Sequence, residues 1–228
     1  MPAPPSSNSE TVVLLHGVAM PALALHRLAR KLATAGYRVV NLAYPSRALT
    51  LEQLAREHLP AGLRAAGTEA APRLHFVAHS MGAIIVRLYL QAHRPANLGR
   101  VVLLGPPNAG SRVADRLSRS AILRWLVGPN LSRLGTATPD AVAPHLAPPD
   151  CDVGIIAGSA SINPIFSRWL REPNDGAVSV ASARLAGARD FLVLPHSHTA
   201  MLWRDAVAVQ VVAFLRTGRF AAPPASGD

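Results

Sequence analysis

Near its middle the chain contains the stretch Leu74-His75-Phe76-Val77-Ala78-His79-Ser80-Met81-Gly82-Ala83-Ile84-Ile85-Val86-Arg87. Residues 74–78 form a short, continuous apolar run, which is typical of a buried strand. From residue 81 to residue 93 the apolar positions recur three and four apart, which predicts a helix. His79 and Ser80 are therefore expected in a tight turn between a strand and a helix.

This turn makes Ser80 a candidate nucleophile. A serine held on a sharp strand-to-helix turn is strained, and small residues must stand two positions before and after it. Gly82 meets this need on one side, and Ala78 takes the place of the usual glycine on the other. At the helix start, backbone N–H groups and the helix dipole stabilise negative charge. The alternative is a serine that caps the helix.

A second motif, His16-Gly17-Val18, directly follows the first predicted strand. The tetrahedral intermediate of ester cleavage needs two backbone donors, one after the nucleophile and one from a loop such as this. Met81 and Val18 are the predicted donors. His16 is expected to support the loop and to take no part in proton transfer.

Strand and helix patterns alternate along the chain. The predicted strands are 11–15, 38–42, 74–78, 100–104, 153–157 and 191–194. The principal predicted helices are 21–35, 51–66, 81–93 and about 204–216. This alternation predicts one α/β domain over residues 1–228, with a mostly parallel six-stranded sheet and helices on both faces. Because ligands bind beyond the carboxyl ends of parallel strands, catalytic residues should follow strands.

One long segment, residues 112–150, interrupts the alternation after the fourth strand. It is rich in proline, and we name it the cap segment. It is expected to be either a cap or lid over a site or an ordinary amphipathic helix and loop packed on the core. Residues 1–10 are expected to be flexible and residues 221–228 disordered.

A histidine pair follows the last predicted strand in Pro195-His196-Ser197-His198-Thr199. A general base is expected here, and His198 is preferred because it reaches further from the stiff Pro195. His196 remains the alternative base. A His-x-His metal site is a third interpretation, but no matching cluster of Cys, Asp or Glu accompanies it.

The acid that orients the base follows from sheet polarity. Most aspartates lie before strands, in the cap segment or in the last helix, namely Asp152, Asp190, Asp115, Asp140 and Asp205. Asp175 remains, in an Asn-Asp-Gly turn after the fifth strand. Such a turn is also a common structural device. The order Ser80, Asp175, His198 is nevertheless the order in which α/β-hydrolases carry their triad.

Composition excludes several classes of function. The net charge is +10, but Lys31 is the single lysine and the arginines are scattered, so no nucleic-acid site is predicted. Weak contact with an anionic membrane surface is compatible with this charge. No transmembrane segment and no secretory signal are recognised, so a cytoplasmic location is expected. The single Cys151 forms no internal disulfide and belongs to no metal motif.

Five stretches resemble the bacterial α/β-hydrolase family of small triacylglycerol lipases and lipase-like esterases. They are residues 12–17, 76–82, 104–111, 174–180 and 193–199. The resemblance implies that Ser80 is the nucleophile, that the aspartate before Gly-x-Val, Asp175, is the acid, and that His198 of Ser-His-Thr is the base. It also implies a minimal α/β-hydrolase fold with strand order 2-1-3-4-5-6. The chain starts at the His-Gly strand, so the first two strands of the full fold are expected to be missing.

Two features of the motifs bear on the substrate. Pro106 stands where the family more often has threonine, which affects the expected pocket wall. A single glycine after His16 resembles lipases that prefer medium to long acyl chains.

These observations predict a carboxylesterase or lipase that acts through an acyl-enzyme and needs no metal or organic cofactor. Small-molecule or lipid esters are the expected substrates. An acyltransferase, a thioesterase or an amidase could use the same residues, and an inactive binding module is the non-enzymatic alternative. His16, Gly17, His79 and Gly82 are expected to support the site. Candidates for an apolar acyl pocket are Leu123, Trp125, Leu126, Phe166 and Trp169.

Overall fold

The computed structural model describes residues 9–136, 138–170 and 172–222. Most of the two terminal stretches for which flexibility or disorder is expected, residues 1–8 and 223–228, lies outside this range.

The strands of the described residues form one six-stranded sheet. They are β1 (Thr11–Leu15), β2 (Arg38–Leu42), β3 (Leu74–His79), β4 (Leu98–Leu104), β5 (Val153–Gly158) and β6 (Asp190–Leu194). Their order is β2-β1-β3-β4-β5-β6, and every neighbouring pair is parallel. The predicted strand order is confirmed, and a sheet expected to be mostly parallel is parallel throughout.

Helices connect the strands. The α-helices are α1 (His26–Thr34), α2 (Leu51–Gln53), α3 (Leu59–Ala65), α4 (Met81–Ala92), α5 (Arg112–Leu117), α6 (Ala121–Val127), α7 (Asn130–Arg133), α8 (Pro164–Leu170), α9 (Val180–Ala183) and α10 (Asp205–Thr217). Short 3₁₀ helices cover Ala22–Leu25, Thr68–Ala70, Ala143–His145 and Ala200–Trp203.

The helix predicted over residues 51–66 is divided. A π-helical turn, Leu54–His58, separates α2 from α3. Pro60 lies at the start of α3 and has no N–H to donate to a carbonyl one turn earlier, so the regular hydrogen-bond ladder changes there.

Both faces of the sheet are covered, because successive side chains of a strand point to opposite sides. On one face Val13 and Leu15 of β1 belong to a core that contains buried residues of α2, α3 and α4. On the other face Val12 and Leu14 pack with buried residues of α1 and α10. β1 and β3 are buried along their whole length, whereas the edge strands β2 and β6 are only partly buried.

The sheet has a crevice between the ends of β1 and β3. From β1 the chain crosses to β2 on one side, and from β3 it continues to β4 on the other. Loops that leave β1 and β3 therefore diverge at this point, where parallel sheets bind ligands. His16 and Ser80 follow these two strands.

The cap segment contains α5, α6 and α7. Val113, Ala114 and Leu131 are buried, whereas Ile122 and Trp125 of α6 are more than two-thirds exposed. No helix in the described part of the chain is both long and apolar enough to cross a membrane.

Candidate active site

Ser80 lies in the turn between β3 and α4. Its φ of 54° and ψ of −120° place a residue with a side chain in a backbone region that normally suits glycine. Such a conformation costs about 1–3 kcal/mol and persists only where the surroundings enforce it. The Ser80 N–H donates to the carbonyl of Leu104 at the end of β4 over 2.9 Å, which anchors the turn to the sheet.

Gly82 allows the first turn of α4 to approach β1. A Cβ atom at this position would lie 2.7 Å from the carbonyl oxygen of His16 and 2.8 Å from that of Leu15. These contacts are too close for any side chain. Glycine is therefore required for steric reasons, and the requirement agrees with the small-residue rule for this turn.

The Ser80 side chain does not cap α4. Its Oγ lies 2.9 Å from Nε2 of His198, and Nδ1 of His198 lies 2.7 Å from Oδ2 of Asp175. An ionised carboxylate can only accept a hydrogen bond, so the proton is on Nδ1. Nε2 is then free to accept the proton of the serine hydroxyl. This is the arrangement that a serine nucleophile and its general base require.

Asp175 is held in place by its own turn. Its Oδ1 accepts hydrogen bonds from the N–H groups of Ala177 and Val178 over 2.9 and 2.8 Å. The backbone joins the two loops, because the N–H of His198 donates to the carbonyl of Asp175 over 2.9 Å. The side chain of Asp175 is buried. The Asn-Asp-Gly turn is thus both a structural device and the support of the carboxylate.

Gly105, which directly follows β4, lies against this pair. It has a φ of +52°, and a Cβ here would lie 3.0 Å from both Oδ2 of Asp175 and Nδ1 of His198. Sequence reasoning assigned this residue no separate role. Only the packing of the three loops shows why a side chain would disturb the hydrogen bond.

His198, and not His196, reaches Ser80. Both ring nitrogens of His198 are engaged, one with Asp175 and the other with Ser80. A His196–His198 metal pair would require one of these nitrogens to leave its partner.

The two amides expected to bind an oxyanion belong to Val18 and Met81. Neither N–H group is a donor in the backbone–backbone hydrogen bonds of the described loops and turns. His16 is buried, and its Nδ1–H donates to the carbonyl of Gly17 over 2.8 Å. Burial lowers the pKa of His16, partly offset by this hydrogen bond. The His16 ring is therefore held in the loop after β1 by its bond to the Gly17 carbonyl.

His79 lies directly behind His198. Its ring is buried, 4.6 Å from the ring of His198 between centroids, and its Nε2–H donates to the carbonyl of His198 over 2.9 Å. Burial lowers the pKa of His79 well below its usual value, and electrostatic interaction with the neighbouring His198 lowers it further. A neutral His79 thus supports the backbone of the His198 loop.

A cavity of about 240 Å³ adjoins Ser80 and His198. Much of its apolar wall comes from the cap segment and from the loop that follows Asp175. Apolar residues of these two segments that line it include Val113, Ala114, Leu117, Leu131, Leu134 and Val178. Sequence reasoning missed all six, since apolar spacing in short helices does not distinguish a cavity wall from core packing.

The five residues expected to form an acyl pocket lie elsewhere. Leu123 packs against the core, and Trp125 and Leu126 of α6 are exposed. The rings of Phe166 and Trp169 in α8 contact each other, 5.1 Å apart between centroids. None of the five is among the residues that line the cavity at Ser80. α6 exposes Ile122, Trp125 and Leu126, whereas residues of α5 and α7 line the cavity.

No protein-family model matches the chain, and no curated protein matches it in sequence. Solved structures do match. The mature form of a Bacillus licheniformis lipase is 17% identical with a TM-score of 0.71, and the alignment covers 95% of this chain and 94% of the lipase. A metagenomic carboxyl esterase is 22% identical with a TM-score of 0.69, covering 86% of this chain and 66% of the esterase.

Lipase B of Aspergillus fumigatus is 18% identical with a TM-score of 0.71. That alignment covers the whole of this chain and 58% of the fungal lipase. Together with the sheet order, these similarities show that the chain has an α/β-hydrolase fold.

Proposed function

We propose that this protein is a serine hydrolase that cleaves carboxylic esters through an acyl-enzyme on Ser80. The observation that carries the proposal is the continuous chain of hydrogen bonds from Ser80 through His198 to the buried Asp175. Three residues from three different loops meet in the order that nucleophilic catalysis needs. The known structures that share the fold include lipases and a carboxyl esterase, which is consistent with this chemistry.

The reaction follows from the position of each group. Nε2 of His198 takes the hydroxyl proton as Oγ of Ser80 attacks the ester carbonyl, and Asp175 stabilises the resulting imidazolium. The N–H groups of Val18 and Met81 would hold the negative oxygen of the tetrahedral intermediate. His198 then gives its proton to the leaving alcohol. Water repeats the sequence on the acyl-enzyme and releases the acid.

The cavity indicates which esters fit. Its wall is apolar, and its volume of about 240 Å³ lies below the roughly 300–1,000 Å³ typical of pockets for drug-sized ligands. We therefore propose that acyl chains of short to moderate length are preferred, although the single glycine after His16 resembles enzymes with longer-chain preference. Rates measured on soluble esters from acetate to laurate test this. A maximum at laurate would contradict it.

A fluorophosphonate that labels active serines tests the nucleophile. We expect the wild type to be labelled and to hydrolyse a soluble ester, and Ser80→Ala to do neither. Equal labelling of both proteins would disprove the assignment of Ser80. Absence of labelling and turnover in the wild type would favour a binding module.

The same assay separates the two histidines. His198→Ala should lower kcat by at least about a thousandfold, because the hydroxyl loses its base. His196→Ala is the matched control, since it removes a histidine from the same loop, and it should change kcat by less than about tenfold. The reverse result would exchange their roles.

A further inference from the structure

The loop that carries the Val18 amide is bent in an unusual way. Ala19 has a φ of 54°, and in the described part of the chain the other non-glycine residue with a positive φ is Ser80. An alanine in this conformation is strained, so neighbouring groups must hold it there. The strained residue is adjacent to the proposed oxyanion donor.

Two side chains from the loop after β2 hold this segment on either side of Val18. The N–H of Ala19 donates to Oγ of Ser46 over 3.1 Å, and Ser46 is buried. The hydroxyl of Tyr44 donates to the carbonyl of His16. The rings of Tyr44 and His16 also stack, 3.9 Å apart between centroids and 6° from parallel. Burial raises the pKa of Tyr44, so its hydroxyl remains a donor.

Ser46 is itself anchored to the cap segment. The side-chain amide of Asn130, at the start of α7, donates to the carbonyl of Ser46 over 3.2 Å and to that of Leu49 over 2.8 Å. Asn130 is fully buried. The next residue of α7, Leu131, lines the cavity at Ser80. One anchor therefore connects the cavity wall with the loop after β1.

We infer that Ser46 is a positioning residue for the oxyanion hole. It accepts the Ala19 N–H, keeps Ala19 at its positive φ, and thereby aims the Val18 N–H at the place where the oxyanion forms. Ser46 acts through Ala19 and does not line the cavity at Ser80. This inference rests on the proposed function, because it assigns Ser46 to the donor that the proposed mechanism uses.

The first test is Ser46→Ala, which removes the acceptor of the Ala19 N–H. We expect kcat for a soluble ester to fall roughly tenfold to a hundredfold, somewhat less than the loss of a whole oxyanion donor. KM should change little, since the acyl cavity is intact. The rate of fluorophosphonate labelling of Ser80 should fall in parallel, because that reaction also develops negative charge on an oxygen. An unchanged kcat would overturn the inference.

The second test is a rescue by glycine. Glycine adopts a positive φ without strain and needs no acceptor to hold it there. The double variant Ser46→Ala/Ala19→Gly should therefore recover most of the kcat that Ser46→Ala loses, with Ala19→Gly alone as the reference. If the double variant is as slow as Ser46→Ala, the positioning role is wrong and Ser46 has only a general structural role.

Two controls keep the outcomes distinct. Thr68→Ala removes another buried hydroxyl, which donates to the carbonyl of Leu63 at the opposite end of the sheet, and should leave kcat unchanged. Ser80→Ala tests the proposed function separately: if it retains turnover, that function fails regardless of Ser46.

If Ser46→Ala does not fold, Ser46→Cys replaces it. This variant keeps the volume with a weaker acceptor, and an unchanged kcat would again overturn the inference.

Discussion

His79 both lines the cavity at Ser80 and supports the loop that carries His198. Its Nε2–H holds the carbonyl of His198, while the ring of His198 must keep its contacts with Ser80 and Asp175. Nδ1 of His79 is buried and has no hydrogen-bond partner among the described residues. A neutral ring tolerates this environment, whereas a proton on Nδ1 would place a charge in an apolar site beside His198.

We predict that His79→Phe lowers kcat by roughly threefold to tenfold, which corresponds to the loss of one neutral hydrogen bond. Phenylalanine keeps a ring of similar volume but cannot donate to the His198 carbonyl. His79→Gln is the matched variant, because its amide N–H lies at a reach similar to Nε2, and it should recover part of the loss. Steady-state kinetics on a soluble ester provide the measurement. Equal rates for the His79→Phe and His79→Gln proteins would show that the hydrogen bond is unimportant.

Among the elements, the short helices of the cap segment set the size of the cavity. α5 contributes Val113, Ala114 and Leu117, and α7 contributes Leu131. α6 lies between them in the chain yet exposes Ile122 and Trp125. The three helices thus have different environments: α6 is the most apolar of them, yet it is the one that exposes large apolar side chains.

We predict that Leu131→Ala shifts the preferred acyl chain to greater length, because it removes part of the cavity wall. The buried leucine also stabilises the fold, and its truncation should cost about 2–5 kcal/mol of unfolding free energy. Rates on esters from acetate to laurate, together with urea unfolding, provide the measurements. Trp125→Ala, on the exposed face of α6, is the control and should leave the profile unchanged. If Leu131→Ala has the same dependence of rate on acyl length as the wild type, α7 does not limit the length of the acyl chain.

For the whole molecule, buried histidines link stability to pH. His16, His75 and His79 are buried, and burial lowers the pKa of each. Their pKa values in the unfolded chain are near the ordinary value of about 6.5. Below that pH the unfolded chain binds protons that the folded protein does not, so the free energy of unfolding falls as the pH falls. The stabilisation from these neutral buried histidines is fully present above about pH 6.5. It is lost as the pH falls from there toward their lower pKa values in the folded protein.

We predict that unfolding free energy decreases between about pH 7 and pH 5, with each of these histidines contributing up to about 1.4 kcal/mol per pH unit. Urea unfolding across this range measures it. His75→Gln should reduce the slope without affecting the proposed active site, because His75 lies at the other end of β3, bonded to Glu10 and to the Arg100 N–H. The same slope in both proteins would contradict the prediction.

The order of strands and helices along the chain could be predicted from the sequence, because burial in a parallel sheet leaves continuous apolar runs and helices leave a period of 3.6 residues. It also indicated that Ser80, Asp175 and His198 follow strands, at the sheet edge where such residues converge. These features are local or follow from topology, so a single chain reveals them. The apolar pattern over residues 51–66 is regular and therefore predicts one helix. Pro60 is the local feature that accounts for its division at residues 54–58.

The contacts between side chains of different loops could not be predicted and are evident from the folded structure. The cavity wall, the approach of Gly105 to His198 and the support of Ala19 by Ser46 each join residues far apart in sequence. No periodic pattern marks such contacts, because a loop's path is fixed by hydrogen bonds to whatever packs beside it. For this reason the sequence pattern predicts aromatic and leucine residues of α6 and α8 at the cavity, whereas α5 and α7 form its wall.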